Sequence, residues 1–301
     1  MKVGIIGLGR MGMALVQNLL DHKYEVVAFN RRPEPRKEAE GYGAVAATSM
    51  NDFYSKLSKP KILWMMVTAG EATEAVFKQC VRVAKKGDII IDGGNSFFKD
   101  TLKRGEICDK KGIYFFDAGT SGGIEGARNG GCFMIGGDKT IFKKHLDKIF
   151  KDIAVKDGYG YMGDVGSGHF VKMIHNGVEY GMLQSIGEGF EILEACQFDL
   201  DNREVTKVWA NGSVVRGWLM DLMLRAFKKD PKLKKMSDIV GHSGEGKWSV
   251  QSALELNVPA FTMAEAMFVR FASNQKESFS GKVISALRNE FGGHIPPKEK
   301  K

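Results

Sequence analysis

The sequence contains little cysteine and no pattern of cysteine and histidine typical of a metal site. Only four of the 301 residues are cysteines: Cys80, Cys108, Cys132 and Cys196. They form no CxxC pair, and no Cys/His cluster has the spacing of zinc ligands. We therefore expect the reduced thiols of a cytoplasmic protein and no bound metal.

Long apolar runs and targeting segments are also missing. No stretch approaches the roughly 20 apolar residues that a membrane-spanning helix needs. From Met1 the sequence enters a strand-like segment directly, without the charged region, apolar core and cleavage site of a signal peptide. These absences predict a soluble globular protein of the cytoplasm.

Charge of one sign is in moderate excess but is not concentrated. The chain has 44 Lys and Arg against 36 Asp and Glu, a formal net charge of +8. Such a balance suits nucleic acid, anionic lipid or a small anionic substrate. Because the basic residues are spread along the chain and no basic run is interleaved with aromatics, we expect no nucleic-acid partner.

Strands and helices alternate in the first half of the sequence. Short β-rich apolar runs, separated by helix-length segments, lie at residues 2–7, 25–30, 60–67, 88–95, 114–122 and 132–137. This alternation predicts an α/β protein with a Rossmann-type, doubly wound and largely parallel sheet. Helical periodicity dominates after a glycine-rich segment at 158–168. We therefore expect a nucleotide-binding domain at 1–163 and an all-helical domain at 164–301.

The first predicted strand leads into the pattern GxGxxG, which is typical of dinucleotide-binding turns. Its residues are Gly7, Leu8, Gly9, Arg10, Met11 and Gly12. Glycines there permit a tight turn and a close approach of the backbone to a pyrophosphate at the positive end of a helix dipole. Because the pattern lies between a strand and a helix, it favours dinucleotide binding over a purely structural turn.

The end of the second predicted strand distinguishes NAD from NADP. Asp or Glu at this position would accept a hydrogen bond from the ribose 2′-OH of NAD and would repel a 2′-phosphate. This chain has Asn30, followed by Arg31 and Arg32. Two guanidinium groups beside a neutral amide suit a 2′-phosphate, so the sequence favours NADP and keeps NAD as the alternative. The two arginines could instead be solvent-exposed residues at a helix start.

The segment FVKMIHNGVEY places polar groups of catalytic type at helical spacing. They are Lys172, His175, Asn176, Glu179 and Tyr180, at positions i, i+3, i+4, i+7 and i+8. The first four share an arc of roughly 100° on a helix. Lys172 and Glu179 are about 10 Å apart along the helix axis, enough for a small multi-carbon substrate between an amine and a carboxyl group. A solvated surface helix is the alternative, although such faces usually carry mixed Lys and Glu.

Taken together, the motifs resemble those of the decarboxylating 6-phosphogluconate dehydrogenase family. They are GLGRMG at 7–12, FNRR at 29–32, DGGNS at 92–96, DAGTSGG at 117–123, FVKMIHNGVEY at 170–180, GEGKW at 244–248, FVR at 268–270 and RNEFGGH at 288–294. They cover nearly the whole chain, whose length matches the short form of the family. The resemblance implies oxidative decarboxylation of 6-phosphogluconate to ribulose 5-phosphate and CO2 in the pentose phosphate pathway and gluconate utilization. It also implies a homodimer, or a tetramer of paired dimers.

The resemblance further implies a role for individual residues. Lys172 would be the general base, so its pKa must fall from about 10.4 through burial or neighbouring cations. Glu179 would be the general acid. The residues implied to bind substrate are Asn95, Ser121, Gly122, Gly123, His175, Asn176, Tyr180, Arg270, Arg288 and His294. Of these, Arg288 and His294 would reach into the site of the neighbouring subunit. Beside the glycine turn and the Asn30 segment, the residues implied to contact the cofactor are Val67, Thr68, Ala69 and Asn95.

Two positions depart from the family's pattern. Longer members have a phosphate-binding lysine where this chain has Ser243, and a threonine where it has Glu245. The resemblance therefore does not extend to phosphate binding by this loop, where Lys247 is the remaining cation. Glu245 could instead face other protein groups.

Two other functions compete with this one. Other β-hydroxyacid dehydrogenases, acting on hydroxyisobutyrate or tartronate semialdehyde, share the fold, the length and a catalytic lysine, but they usually lack HNGxEY and RNEFGGH. A non-catalytic nucleotide-binding module would use the fold for interaction only. Loss of the lysine would mark such a module, and Lys172 is present.

Overall fold

The computed structural model describes residues 1–292. Its strands are β1 (Lys2–Ile6), β2 (Glu25–Phe29), β3 (Val45–Ala47), β4 (Ile62–Met65), β5 (Ile89–Asp92), β6 (Tyr114–Ser121), β7 (Gly131–Gly136) and β8 (Ala154–Gly163). They form one eight-stranded sheet in the order β3-β2-β1-β4-β5-β6-β7-β8. Neighbouring strands are parallel except for β6 and β7, which are antiparallel. The strand order reverses between β1 and β4, which is where such sheets bind ligands at the carboxyl ends of their strands.

Helices connect the strands, and further helices joined by loops follow the sheet. Those between strands are α1 (Arg10–Asp21), α2 (Pro33–Gly41), α3 (Met50–Lys56), α4 (Glu71–Val83), α5 (Phe98–Asp109), α6 (Gly123–Asn129), α7 (Lys139–Ile141), a π-helical turn (Phe142–Leu146) and α8 (Asp147–Ile153). Those after the sheet are α9 (Ser167–Ala195), α10 (Asn202–Ala210), α11 (Trp218–Lys229), α12 (Glu245–Glu255), α13 (Phe261–Ser273) and α14 (Phe279–Gly292). In residues 1–292 no helix is long and apolar enough to cross a membrane.

The predicted doubly wound sheet and helical C-terminal region are confirmed, and two strands were not predicted. β3 is only three residues long and lies at one edge of the sheet. β8 lies at the other edge, is rich in glycine and has no fully buried residue. Edge strands are held by backbone pairing with one neighbour, so their residues need not alternate between apolar and polar.

Alternate residues of the central strands face two separate cores. In β4, Ile62 and Trp64 belong to one apolar cluster, and Leu63 and Met65 belong to the other. All four side chains are at most 1% exposed. Burial of one such side chain contributes about 1.5–3 kcal/mol, so helices on both faces are needed to cover the sheet. This is why the central strands appear in the sequence as continuous apolar runs.

The chain divides into two compact units, Met1–Gly177 and a second that begins at Val178. The second unit contains small apolar clusters, one of which includes Phe190, Met220 and Phe227. The division lies inside α9, whereas the predicted domain boundary lies where β8 ends and α9 begins. The assignment of domains to 1–163 and 164–301 therefore stays a prediction.

Candidate active site

The glycine-rich turn after β1 has the shape that a dinucleotide needs. Gly7 has a φ of +96°, and a Cβ there would lie 2.5 Å from the carbonyl oxygen of Met66. A Cβ on Gly12 would lie 2.0 Å from the oxygen of Gly7, so α1 packs directly on the turn. By contrast, a Cβ on Gly9 would meet no atom within 4 Å. The open backbone at Gly9 fits a pyrophosphate at the N-terminus of α1.

Asn30 supports this turn from the end of β2. Its side-chain oxygen accepts a hydrogen bond from the Leu8 amide at 3.2 Å, and its amide group donates to the Arg32 carbonyl at 3.4 Å. Sequence reasoning placed Asn30 at the cofactor but did not predict that it also holds the turn. Arg10, Arg31 and Arg32 are exposed. The exposure of Arg31 and Arg32 agrees both with a 2′-phosphate site and with a solvated helix start.

Two further loops follow the neighbouring strands β4 and β5, at the carboxyl ends of these strands. They carry Val67, Thr68 and Ala69 in one case and Asn95 in the other. A Cβ on Gly94 would lie 2.7 Å from the carbonyl oxygen of Val67, so the loops contact each other. Asn95 and Thr68 are both exposed. The predicted cofactor residues of this pair of loops are therefore brought together and are accessible.

Asp117, near the middle of β6, holds the start of α9. Its fully buried carboxylate accepts hydrogen bonds from the backbone amides of Gly166 and His169, both at 2.7 Å. These amides are at the positive end of the helix dipole, where an anion is favoured. A second link joins His169 Nδ1 to Thr101 Oγ1 of α5 at 2.7 Å. Charge-assisted bonds to buried groups contribute about 1.5–3 kcal/mol, so the start of α9 is firmly fixed on the sheet.

The same face of β6 positions the polar groups of α9. A Cβ on Gly119 would lie 2.3 Å from the Cβ of Lys172, so only glycine permits this approach. Ser121 Oγ lies 3.1 Å from His175 Nε2. Asp117, Gly119 and Ser121 are two residues apart in a strand, so they share one face. The strand thus contacts the helix at successive turns.

Lys172 lies buried among polar neighbours of its own helix. It is 6% exposed, its Nζ donates to the side-chain oxygen of Asn176, and the same nitrogen is 3.4 Å from His175 Nδ1. Asn176 is 7% exposed. The face that carries these three residues is therefore not a solvated surface, and the alternative of a surface helix is wrong for them.

A cysteine without a predicted role lies beside this group. Cys132 of β7 pairs with Ser121 of β6 in the sheet. Burial raises the pKa of the Cys132 thiol, and the positive charge of Lys172 opposes this shift only in part. The thiol therefore stays protonated at neutral pH and is not an activated nucleophile.

In the second unit, the structure brings Tyr180 and Arg270 together. The guanidinium carbon of Arg270 lies 3.7 Å from the centroid of the Tyr180 ring, and Arg270 Nη1 donates to the carbonyl of Gly241 at 2.7 Å. A Cβ on Gly246 would lie 2.5 Å from the same ring. The cation–π contact fixes the direction of the Arg270 side chain. Glu179, which precedes Tyr180, is half-buried.

The two positions that depart from the family's pattern contact each other. Ser243 Oγ donates to Glu245 Oε2 at 2.5 Å, and Glu245 is 2% exposed. Among residues 1–292, the other oxygen of Glu245 has no hydrogen-bond partner. A buried carboxylate repels a phosphate, so this pair does not replace the missing lysine and threonine. Lys247 is exposed.

The remaining predicted residues are less constrained by the described structure. Ser121 and Gly122 are partly exposed, and Gly123 is exposed at the start of α6. Arg288 is exposed on α14. His294 lies outside the described residues. In the described part of the chain, no three His, Cys, Asp or Glu side chains group together as metal ligands.

Comparison with known proteins identifies the family. The sequence model described as the NAD binding domain of 6-phosphogluconate dehydrogenase matches residues 2–163. The model of the C-terminal domain of 6-phosphogluconate dehydrogenase matches residues 168–293. The chain belongs to the 6-phosphogluconate dehydrogenase family. The family resemblance predicted from the motifs is thereby confirmed.

Similar proteins extend over the whole chain. It is 47% identical over 299 residues to YqeC of Bacillus subtilis, whose name assigns it to the same family, and the match covers 99% of this chain and 100% of that protein. It is 41% identical to the NAD(+)-dependent, decarboxylating 6-phosphogluconate dehydrogenase of Haloferax volcanii, with 98% of each chain covered. The solved structure of Plasmodium falciparum 6-phosphogluconate dehydrogenase, described with NADP+ and with 6-phosphogluconate, has a TM-score of 0.83 at 28% identity. That match covers 100% of this chain and 67% of the other.

Proposed function

We propose that the chain catalyses the oxidative decarboxylation of 6-phospho-D-gluconate to ribulose 5-phosphate and CO2. The observation that carries this proposal is the buried Lys172, seated on Gly119 and in contact with Asn176 and His175. A lysine in this environment suits a general base. Family membership and the printed names of the relatives in Haloferax and Plasmodium support the same reaction.

Lys172 would take part in both stages of the reaction. The bound dinucleotide supplies the acceptor for the hydride that leaves C3. Neutral Lys172 takes the proton of the C3 hydroxyl, and the side-chain oxygen of Asn176 accepts a hydrogen bond from the resulting ammonium. That ammonium donates to the new C3 carbonyl oxygen and stabilises the enolate as CO2 leaves. This account uses an amine in both protonation states and requires no metal.

Glu179 and the remaining polar residues would complete the reaction. Glu179 would protonate C1 of the enediol to give ribulose 5-phosphate. His175, Asn176 and Tyr180 would bind the sugar acid, together with Asn95, Ser121, Gly122 and Gly123. Arg270 would pair with the 6-phosphate, since its guanidinium is held in one direction by the Tyr180 ring. Ser243 and Glu245 would take no part in phosphate binding, which would rest on the arginines Arg270 and Arg288.

We infer that NADP is the preferred cofactor and that NAD is the alternative. Residue 30 is Asn, where a carboxylate would favour NAD, and two exposed arginines follow it. Guanidinium groups suit a 2′-phosphate. The name of the Haloferax relative points to NAD, so the preference needs a direct comparison of kcat/KM with the two cofactors.

We further infer a cytoplasmic homodimer, or a tetramer of such dimers. Arg288 and His294 would complete the site of the neighbouring subunit, as the family resemblance implies. All four cysteines are free thiols, in keeping with a reducing compartment. The division of the family models at residues 163 and 168 supports the proposed domains 1–163 and 164–301.

A steady-state assay tests the proposed function. The purified protein is incubated with 6-phosphogluconate labelled at C1 and with NADP+ or NAD+, and reduced cofactor and trapped CO2 are measured together. We expect one CO2 for each reduced cofactor, and a higher kcat/KM with NADP+. Reduction of cofactor with hydroxyisobutyrate but not with 6-phosphogluconate would instead support the competing β-hydroxyacid dehydrogenase. Absence of turnover with either substrate would contradict the proposal.

A further inference from the structure

Arg104 of α5 is a buried arginine that belongs to none of the sequence motifs. It is 2% exposed and contacts two carboxylates, one at the end of β5 and one in helix α4. Its Nη1 lies 2.9 Å from Asp92 Oδ2, and its Nε donates to Glu74 Oε1 at 2.7 Å. Asp92 is fully buried, whereas the side chain of Glu74 is 44% exposed. One guanidinium thus joins the end of β5 to the first turn of α4.

Asp92 extends this contact into the loop after β5. Its Oδ1 accepts a hydrogen bond from the amide of Gly94 at 3.1 Å, and its Oδ2 accepts one from the hydroxyl of Ser96 at 2.7 Å. These two residues flank Asn95. The carboxylate of Asp92, which Arg104 contacts, therefore also fixes the conformation of the loop that carries Asn95.

Glu74 connects Arg104 to the loop after β4. It follows Thr73, which is fully buried and donates from its hydroxyl to the carbonyl of Thr68 at 2.8 Å. Thr68 belongs to the loop that contacts Gly94 through Val67. Arg104 is consequently linked to both loops, through Asp92 on one side and Glu74 on the other.

The chemistry of arginine suits this double contact. Its guanidinium is planar and presents several N–H groups in fixed directions, so it binds two carboxylates at once. Lysine has a single ammonium and cannot reproduce both directions. Without the guanidinium, Asp92 is left as a buried charge with only neutral donors, which is strongly destabilising. A contact of this kind fixes geometry more than it adds stability.

We propose that Arg104 is a positioning residue for the nicotinamide half of the dinucleotide. It fixes the loops of Thr68 and Asn95 relative to each other, so that both contact the cofactor near the reacting ring. The inference rests on the proposed function, because that function assigns the two loops to the cofactor. The pyrophosphate and the adenosine 2′-phosphate would be bound elsewhere, at the turn of Gly7 and at Arg31, so their binding would not depend on Arg104.

Binding measurements without the sugar acid test this inference. Dissociation constants for NADPH and for 2′,5′-ADP are compared in wild type, Arg104→Met and Arg104→Lys. We expect both variants to bind NADPH at least about tenfold more weakly, a change that corresponds to about 1.4 kcal/mol, and to bind 2′,5′-ADP as wild type does. Arg82→Met is the matched control, since Arg82 is an exposed arginine of α4. It should bind both ligands normally.

A double variant separates positioning from stability. Asp92→Asn combined with Arg104→Met removes both charges of the buried pair, so its melting temperature should recover toward that of wild type while NADPH binding stays weak. Restored NADPH binding in this double variant would overturn the inference, because charge balance alone would then explain Arg104. Normal NADPH binding by Arg104→Met would overturn it as well. If wild type binds NADPH but does not oxidise 6-phosphogluconate, the proposed function fails while this inference stands on the binding data.

Discussion

Gly119→Ala tests whether the close approach of α9 to β6 sets the position of Lys172. The added Cβ would lie 2.3 Å from the Cβ of Lys172 and 2.8 Å from its Cγ. Carbon atoms in contact are normally about 3.5–4.0 Å apart, so the helix must move by about 1 Å or more. Because the Cβ of Lys172 is fixed to the helix backbone, rotation of the side chain cannot relieve the clash. Overpacking of this kind costs about 1–3 kcal/mol.

The expected consequence is a catalytic defect larger than the loss of stability would suggest. A misplacement of about 1 Å lowers rates by about 10²-fold, so kcat for 6-phosphogluconate should fall by about that factor. The turn at Gly7 is untouched, and NADPH affinity should therefore stay close to that of wild type. Steady-state kinetics, NADPH titration and thermal unfolding measure the three quantities.

The matched control is Gly187→Ala on the same helix. Gly187 is exposed, and an added Cβ there would meet no atom within 4 Å. Alanine is favoured over glycine in a helix by up to about 1 kcal/mol, so this variant should be active and slightly more stable. Wild-type kcat in a folded Gly119→Ala protein would refute the claim that Gly119 seats the lysine.

Other substitutions test the remaining parts of the account. Asp117→Asn should lower stability by about 1.5–3 kcal/mol in chemical denaturation and reduce kcat, because one amide at the start of α9 loses its charged acceptor; unchanged stability would mean that the carboxylate does not hold the helix. Asn30→Asp combined with Arg31→Ser should shift kcat/KM from NADP toward NAD, and a wild type that already prefers NAD would contradict the assignment of these residues. Mixing Lys172→Met with Arg288→Ala under subunit exchange should restore part of the activity, whereas background activity after confirmed exchange would assign Arg288 to its own subunit.

The central strands and the nucleotide turn could be predicted because their signals are local. A strand buried on both faces, such as Ile89–Asp92, appears as an apolar run, and GxGxxG records the geometry of one turn. The edge strands Val45–Ala47 and Ala154–Gly163 have no such pattern, because backbone pairing with a single neighbour holds them. The antiparallel pairing of β6 with β7 also depends on contacts that periodicity does not encode.

In the candidate site, motifs indicated which residues matter but not what holds them. Asp117 and Asp92 open the motifs DAGTSGG and DGGNS, and a charged residue at the end of an apolar run was the available signal. Their partners are distant in sequence. Asp117 accepts hydrogen bonds from amides 49 and 52 residues away. Arg104 joins Asp92 to Glu74, which is 30 residues from Arg104. Such contacts exist only once the sheet has formed. The hydrogen bond between Ser243 and Glu245 joins residues two apart, and it too was visible only in the structure.

The most direct test of the account is the turnover of Lys172→Met with 6-phosphogluconate. The account predicts that kcat falls by about 10²–10⁴-fold, because the variant lacks both the base for the C3 hydroxyl and the ammonium that stabilises the enolate. NADPH binding should be unchanged, which shows that the protein is folded. Near wild-type turnover with intact binding would contradict the assignment of Lys172 as the base.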